Sequence, residues 1–267
     1  MLQIVYPEIE TVELGRLPVA RLDRRQTAEL MLSLVRDYRR AGRPWVATSV
    51  NGQVLSIAAQ DEGLREALLY ADLVSCDGQP LVAASGPMTG AALPERVATT
   101  DLFHDVAEAA RGRSVGMFFL GAREEENRRA VEAVRQLYPH IRIAGRLHGF
   151  RGHAEWIERL DEINSLAPDI LWVALGVPRE QHFYMRFAHA LPQVGLIKTG
   201  GGLFDFLSGS ARRAPAWMQR SGLEWAFRTA IEPRRLAMRY LTTNPRAALL
   251  LLLHSKRGVR RARLRSR

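Results

Sequence analysis

Val115-Gly116-Met117-Phe118-Phe119-Leu120 is a run without a polar side chain, closed by Gly121. A helical stretch over about 123–137 follows, opened by Glu124-Glu125-Glu126 and stopped before Pro139. A short apolar run, a glycine and a helix in this order read as one buried strand and its crossover. The unit recurs in both directions. Downstream, Ile141-Arg142-Ile143-Ala144 reads as a strand, 153–166 as a helix, and Asp169-Ile170-Leu171-Trp172-Val173-Ala174-Leu175 as a strand. Pro178 suits the first turn of a helix over 179–190, and Val194-Gly195-Leu196-Ile197-Lys198 precedes Gly200-Gly201-Gly202. Upstream, Asp23 is placed to cap a helix over 24–41 that stops at Gly42. Pro44-Trp45-Val46-Ala47-Thr48 and Ala71-Asp72-Leu73-Val74-Ser75-Cys76 read as strands, with one or two helices over 53–70 and another over 100–111. This alternation predicts an α/β fold, a mainly parallel, doubly wound sheet with helices on both faces. Ligands of such sheets bind beyond the carboxyl ends of the strands.

The chain has 267 residues and a formal charge of +10, unevenly spread. Residues 212–267 carry 15 of the 38 Lys and Arg and only two acids, Glu224 and Glu232, for a net +13. Residues 1–211 hold 23 basic and 26 acidic residues, a net −3. The division predicts a body at 1–211 and a helical, Arg-rich appendage at 212–267 that faces an anionic partner. Arg213, Arg220, Arg228, Arg234, Arg235 and Arg239 lie among Trp217, Trp225, Phe227 and Tyr240. Basic residues mixed with aromatics suit contact at the level of lipid headgroups. No recognised nucleic-acid motif accompanies the charge. No run approaches the ~18 apolar residues of a membrane span, the start lacks the pattern of a signal peptide, and a lone cysteine, Cys76, excludes an internal disulfide framework. The expectation is a peripheral protein of a reducing compartment.

Several polar residues fall just after strands. Ser49 and Asn51 follow the first and Asp77 the second. An ionised aspartate there can take a proton from a hydroxyl nucleophile, while Asp77-Gly78 is also ordinary turn chemistry. Arg96 reads either as a solvated loop arginine or as a clamp on a diphosphate, whose oxygens a guanidinium bonds in pairs. Asp205, between Phe204 and Phe206, caps local backbone or meets a sugar or base. Gly121 stands where a phosphate meets a helix N-terminus, but Glu124–Glu126 would repel one. Cys76 reads as a small buried strand residue. Gly-x-Gly-x-x-Gly, Gly-Lys-Ser/Thr, His-Glu-x-x-His and Asp-x-Asp are all absent, so neither a bound dinucleotide cofactor nor a metal is expected.

Taken in order, several of these segments resemble the WecG/TagA/CpsF glycosyltransferases (glycosyltransferase family 26). The strongest match is Gly200-Gly201-Gly202-Leu203-Phe204-Asp205-Phe206-Leu207-Ser208-Gly209, continued by Arg213-Ala214-Pro215-Ala216-Trp217, Gly222-Leu223-Glu224-Trp225, Arg228, Glu232-Pro233 and Arg239-Tyr240. Asp77-Gly78, Glu95-Arg96-Val97 and Gly176-Val177-Pro178 also match, so the resemblance runs from about 45 to 241. It implies a Rossmann-like body with a membrane-docking appendage at the cytoplasmic face. The implied reaction passes a sugar from a nucleotide donor, usually a UDP-sugar, to a polyprenyl-diphosphate-linked saccharide, with inversion and without a metal. It gives Asp77 as general base, Arg96 at the diphosphate, and Ser49 and Asn51 as the Thr-x-Asn motif that positions substrate. Three positions depart from the family pattern: serine at 49, threonine at 99 where a glycine is usual, and Pro178-Arg179-Glu180-Gln181 with Gln and Glu exchanged. The family glutamine therefore falls on Gln181 or is replaced by Glu180. The alternative to an enzyme is a non-catalytic basic membrane-anchoring or scaffold protein on a degenerate nucleotide-binding fold.

Overall fold

The computed structural model describes residues 6–39, 42–150 and 153–264, without the side chains of 153–155, 216, 220, 228, 235–237, 239 and 240. The expected strands are β3 (Trp45–Val50), β4 (Leu73–Cys76), β5 (Gly116–Gly121), β6 (Arg142–Leu147), β7 (Ile170–Ala174) and β8 (Leu196–Thr199). They form one six-stranded sheet in the order β4-β3-β8-β7-β5-β6. Every pairing in it is parallel. The helices of the sheet are α1 (Arg24–Arg36), α2 (Gly52–Ala58), α3 (Glu62–Tyr70), α4 (Gln79–Thr89), α5 (Thr99–Ala109), α6 (Glu124–Leu137), α7 (His153–Leu166) and α8 (Arg179–Phe187). The chain is thus the Rossmann-like α/β structure that the alternation predicts.

Alternation along each strand sorts the core into two layers. Trp45, Ala47, Met117, Phe119, Ile170, Trp172 and Leu196 pack on one face against α1, α5 and α6. Val46, Phe118, Leu120, Leu171, Val173 and Ile197 pack on the other against α7 and α8. The same parity governs the strand ends. Ser49 and Lys198 continue the first face, Thr48 and Thr199 the second, and this fixes which polar side chains meet.

Asp23 caps α1 as expected, accepting the Gln26 N–H at 2.7 Å while the Gln26 side chain accepts the Asp23 N–H at 3.0 Å. The helix ends earlier than the spacing predicts, at Arg36, where the Asp37 N–H closes the last turn on Ser33. Gly121 is held at a φ of +136°, and a Cβ there would lie 2.2 Å from the Ala174 carbonyl oxygen. Asn127 of α6 closes this strand end by donating to the carbonyls of Phe119, Gly121 and Leu147. Gly121 therefore serves backbone approach rather than a phosphate. Gly121→Ala is expected to cost on the order of 3 kcal/mol, read as a lowered urea midpoint.

Two parts of the fold depart from the expectation. Glu8–Leu14 (β1) and Leu17–Ala20 (β2) form a hairpin over a Gly15-Arg16 turn, in which both residues have positive φ. Such a two-residue turn matches the twist of paired strands. After a short helix α9 (Leu203–Leu207), the helical reading of 212–267 holds through α10 (Ala216–Arg220), α11 (Glu224–Ile231) and α12 (Pro233–His254). Beyond it, Lys256–Arg263 is a strand, β9, antiparallel to β1 in a three-stranded sheet of order β2-β1-β9. Its charges answer those of β1: Lys256 and Arg260 reach Glu13 at 2.8 and 3.0 Å, and Arg263 reaches Glu8 at 2.8 Å. A third core joins Val12, Leu14, Leu17 and Val19 to α2 and to Ala247 and Leu251 of α12.

α12 is amphipathic in an unusual sense. Thr243, Ala247 and Leu251, spaced by four, are buried against the body. Met238, Leu241, Leu249, Leu252 and Leu253 lie on the opposite side, each more than half exposed. An apolar stripe thus faces outward along the helix.

Candidate active site

The carboxyl ends of β3, β4 and β8 converge, and the residues after them meet there. Asp77 leaves β4 with its N–H bonded to the Val50 carbonyl at 2.8 Å. Its Oδ2 accepts the Thr99 N–H at 3.2 Å, the first amide of α5, whose N-cap Ala98 offers no side chain of its own. Asp77 therefore does double duty, as a helix-terminus carboxylate and as a group at the strand ends. Its Oδ1 accepts from Arg96 Nε at 3.4 Å. Burial raises the Asp77 pKa above the ordinary aspartate value, against the pull of Arg96, the Thr99 amide and Lys198. Once ionised, a carboxylate so placed is a better proton acceptor than a solvated aspartate.

Arg96 also donates from Nη1 to Glu224 Oε2 at 2.7 Å. Both ends of this pair are under one-fifth exposed. Burial opposes the guanidinium charge, but Asp77 and Glu224 outweigh it and raise the Arg96 pKa. Arg96 Nη2 makes no hydrogen bond among the described residues, which leaves two N–H groups for a ligand. Glu224 opens α11. The segment after 211 thus supplies one of the site's carboxylates.

Lys198 is fully buried, and its Nζ donates to Ser49 Oγ and to the Thr199 carbonyl, both at 2.9 Å. Ser49 Oγ lies 3.1 Å from Thr99 Oγ1. Burial pushes the Lys198 pKa down to about 8, against the raising influence of Asp77 and Glu180. On the other face, Thr48 Oγ1 meets Thr199 Oγ1 at 3.0 Å and accepts from Gln181 Nε2 at 3.4 Å. Glu180 Oε2 accepts the Gly201 N–H at 2.9 Å, so the glycine run is anchored to α8. Burial pushes the Glu180 pKa up to about 7.

That shift has a sign for stability. Below about pH 4.5, Glu180 is protonated in both the folded and unfolded chain. Between about 4.5 and 7 only the folded form keeps the proton, so stability falls as pH rises. Glu180→Gln is expected to flatten that fall, measured by urea denaturation across the window.

The other expected residues are placed as follows. Asn51 caps α2, its Oδ1 accepting the Val54 N–H at 3.0 Å, and its amide nitrogen donates to no described residue. Gln181, expected against substrate, is fully buried, and its Oε1 has no partner among the described residues. Asp205 is exposed in the first turn of α9. Cys76 is buried, and desolvation pushes its thiol up to about 12, as a structural cysteine requires. Arg213, expected at a lipid surface, is instead committed inward, to Asp101 in a two-point ion pair and to Gln219 at 2.7 Å. Arg234 is exposed. The side chains of Arg220, Arg228, Arg235 and Arg239 lie outside the described residues. Among the described residues no three His, Cys, Asp or Glu side chains cluster to hold a metal ion, and no helix is long and apolar enough to cross a membrane.

The sequence reading passed over Lys198, Thr99 and Glu224 as parts of one site. Lys198 carried a signal, a lone charge closing an apolar strand. Glu224 carried another, as one of two acids among the basic residues of 212–267.

Comparison with known proteins gives two findings. The family model described as "Glycosyl transferase WecG/TagA/CpsF family" matches residues 12–261. The chain is also similar to proteins named N-acetylglucosaminyldiphosphoundecaprenol N-acetyl-beta-D-mannosaminyltransferase. That of Bacillus subtilis (strain 168) is 30% identical over 211 residues, covering 79% of this chain and 80% of the relative. That of Bacillus spizizenii (strain ATCC 23059 / NRRL B-14472 / W23) is 31% identical over 208 residues, covering 78% and 79%. That of Staphylococcus aureus (strain MRSA252) is 25% identical over 193 residues, covering 70% and 72%.

Proposed function

The chain belongs to the WecG/TagA/CpsF family of glycosyltransferases, and from that premise we propose that it moves a sugar from a UDP-sugar to a polyprenyl-diphosphate-linked saccharide, with inversion and without a metal ion. The observation that carries this reading is the Asp77 carboxylate, held at the converging strand ends by Arg96 and the α5 terminus. The acceptor hydroxyl attacks the anomeric carbon from the side opposite the diphosphate. The new carbon–oxygen bond forms as the bond to the diphosphate oxygen breaks, Asp77 takes the hydroxyl proton, and the nucleoside diphosphate leaves with the electron pair. Arg96 Nη2 offers its two N–H groups to the charge that grows on the leaving group. Asn51, with its amide free to donate, and Ser49 position the sugar. Gln181 and Glu180 act from behind the site wall. Asp205 stands at the rim beyond the glycine run.

The relatives' names supply the substrate class: an N-acetylhexosamine as the sugar moved and an N-acetylglucosaminyl-diphosphate lipid as acceptor. We assign 1–211 to catalysis and 212–267 to docking on the cytoplasmic membrane face, with Glu224 as the docking segment's contribution to the site. The outward stripe of α12, exposed Trp217 and Trp225, and Arg234 support the docking reading.

The test is a panel of UDP-sugars with a lipid-diphosphate N-acetylglucosamine, read by mass spectrometry and, for the new linkage, by NMR. Transfer of one sugar, with inverted anomeric configuration and undiminished in excess chelator, is expected. Retention of configuration refutes the single displacement, and abolition by chelator refutes metal independence. Failure to bind any nucleotide returns the scaffold reading.

A further inference from the structure

Lys198, Ser49 and Thr99 form a chain whose hydrogen-bond direction is fixed by chemistry. A protonated lysine only donates. Lys198 Nζ therefore gives a proton to Ser49 Oγ, 2.9 Å away, and the Ser49 hydroxyl lies 3.1 Å from that of Thr99. The two hydroxyls own two protons, and only one of them fits between the oxygens. Lys198 supplies a proton and accepts none, and neither hydroxyl has another partner among the described residues. One hydroxyl proton is therefore left without an acceptor in the protein. The ammonium repels the hydrogen of Ser49 toward Thr99, so the surplus proton belongs to Thr99. Thr99 is held beside the general base, because its own N–H bonds Asp77 Oδ2.

The charge around this point selects what accepts the proton. Thr99 donates its N–H to one oxygen of the Asp77 carboxylate, and Arg96 sits on the other. The diphosphate is drawn to the free N–H groups of Arg96, and Thr99, beside the Asp77 carboxylate, is left to a neutral oxygen that this carboxylate does not repel. We propose that Lys198, Ser49 and Thr99 are a one-way donor relay that presents the Thr99 hydroxyl to an uncharged oxygen of the donor sugar, a hydroxyl or an amide carbonyl. Thr99 is the specificity-determining contact and Lys198 the positioning residue that sets its direction. The proposal rests on the reading of the donor as a nucleotide sugar.

Calorimetry on the full chain with UDP, UDP-N-acetylglucosamine and UDP-N-acetylmannosamine tests it. Thr99→Val is expected to weaken the better-bound UDP-sugar about fivefold, the scale of one neutral hydrogen bond, with UDP affinity unchanged. Thr99→Ser restores it. Lys198→Met weakens the same ligand, and the Lys198→Met/Thr99→Val double variant binds no worse than the weaker single one. An equal loss for UDP places the contact on the diphosphate and overturns the proposal. Unchanged affinities in Thr99→Val, or fully additive losses in the double variant, overturn it as well. Should Lys198→Met fail to fold, the Thr99→Val and Thr99→Ser pair decides. A wild-type protein that binds none of these ligands overturns the nucleotide-donor reading and this proposal together, while variants that bind like the wild type overturn this one alone.

Discussion

Asp77→Asn is expected to lower turnover by about a thousandfold, within the range of a lost general base, and to leave the protein no less stable. The asparagine keeps the carbonyl oxygen that receives the Thr99 amide, so α5 retains its terminus. It also removes a charge that burial disfavours, as the raised pKa shows, and active-site residues that cost stability commonly behave this way. In the wild type, kcat/KM rises with pH through the Asp77 ionisation, because the base acts only when deprotonated. Arg96 lowers that pKa, so Arg96→Met shifts the acid limb to higher pH, in addition to weakening donor turnover. Near-normal turnover by Asp77→Asn would remove this residue from the base's role.

The second large effect concerns α12. Serine at Met238, Leu241, Leu249, Leu252 and Leu253 is expected to reduce binding to vesicles containing an anionic phospholipid by on the order of 100-fold. Those side chains point away from the body, so circular dichroism and urea stability should stay as in the wild type. Co-sedimentation with vesicles reads the first quantity. Unchanged binding sinks the stripe as a lipid contact. A fall in oligomeric mass in place of vesicle binding assigns it to contact between copies. Deleting 212–267 is a poorer test, since it strips β1 of β9, removes the α12 cover from α2 and takes Glu224 from Arg96.

The parallel sheet was legible because the inner strands are short apolar runs closed by glycine or a helix cap, each readable without the others, while the edge strand β6, with Arg142 and Arg146, was read from its place between two helices. β1 had a weaker signal: Glu8-Ile9-Glu10 and Val12-Glu13-Leu14 each alternate polar and apolar, but the pattern slips at Thr11-Val12, both of which are buried. β9 had none. Lys256–Arg263 contains one valine and one alanine among five cations, and reads as a solvated charge run. What makes it a strand is the row of glutamates on a partner far away in sequence, information that no local window holds. The same limit applies to the site. Asp77, Ser49 and Arg96 were singled out by their positions after strands and in motifs. The Arg96–Glu224 and Lys198–Ser49 contacts span 128 and 149 positions and follow only from the packing of elements. Arg213 shows the opposite error, a charge counted toward an outer surface because its acidic partner Asp101 lies 112 positions away.

The β1–β9 pairing also bears on how the polypeptide matures. Thr11 and Arg260 stand 249 positions apart, so on the ribosome the N-terminal hairpin emerges long before its third strand exists. Closing so distant a pair is slow relative to local folding. The parallel sheet, whose contacts lie between the two, is in a position to assemble first. β9 is added last, so β1 passes most of synthesis with one edge unpaired.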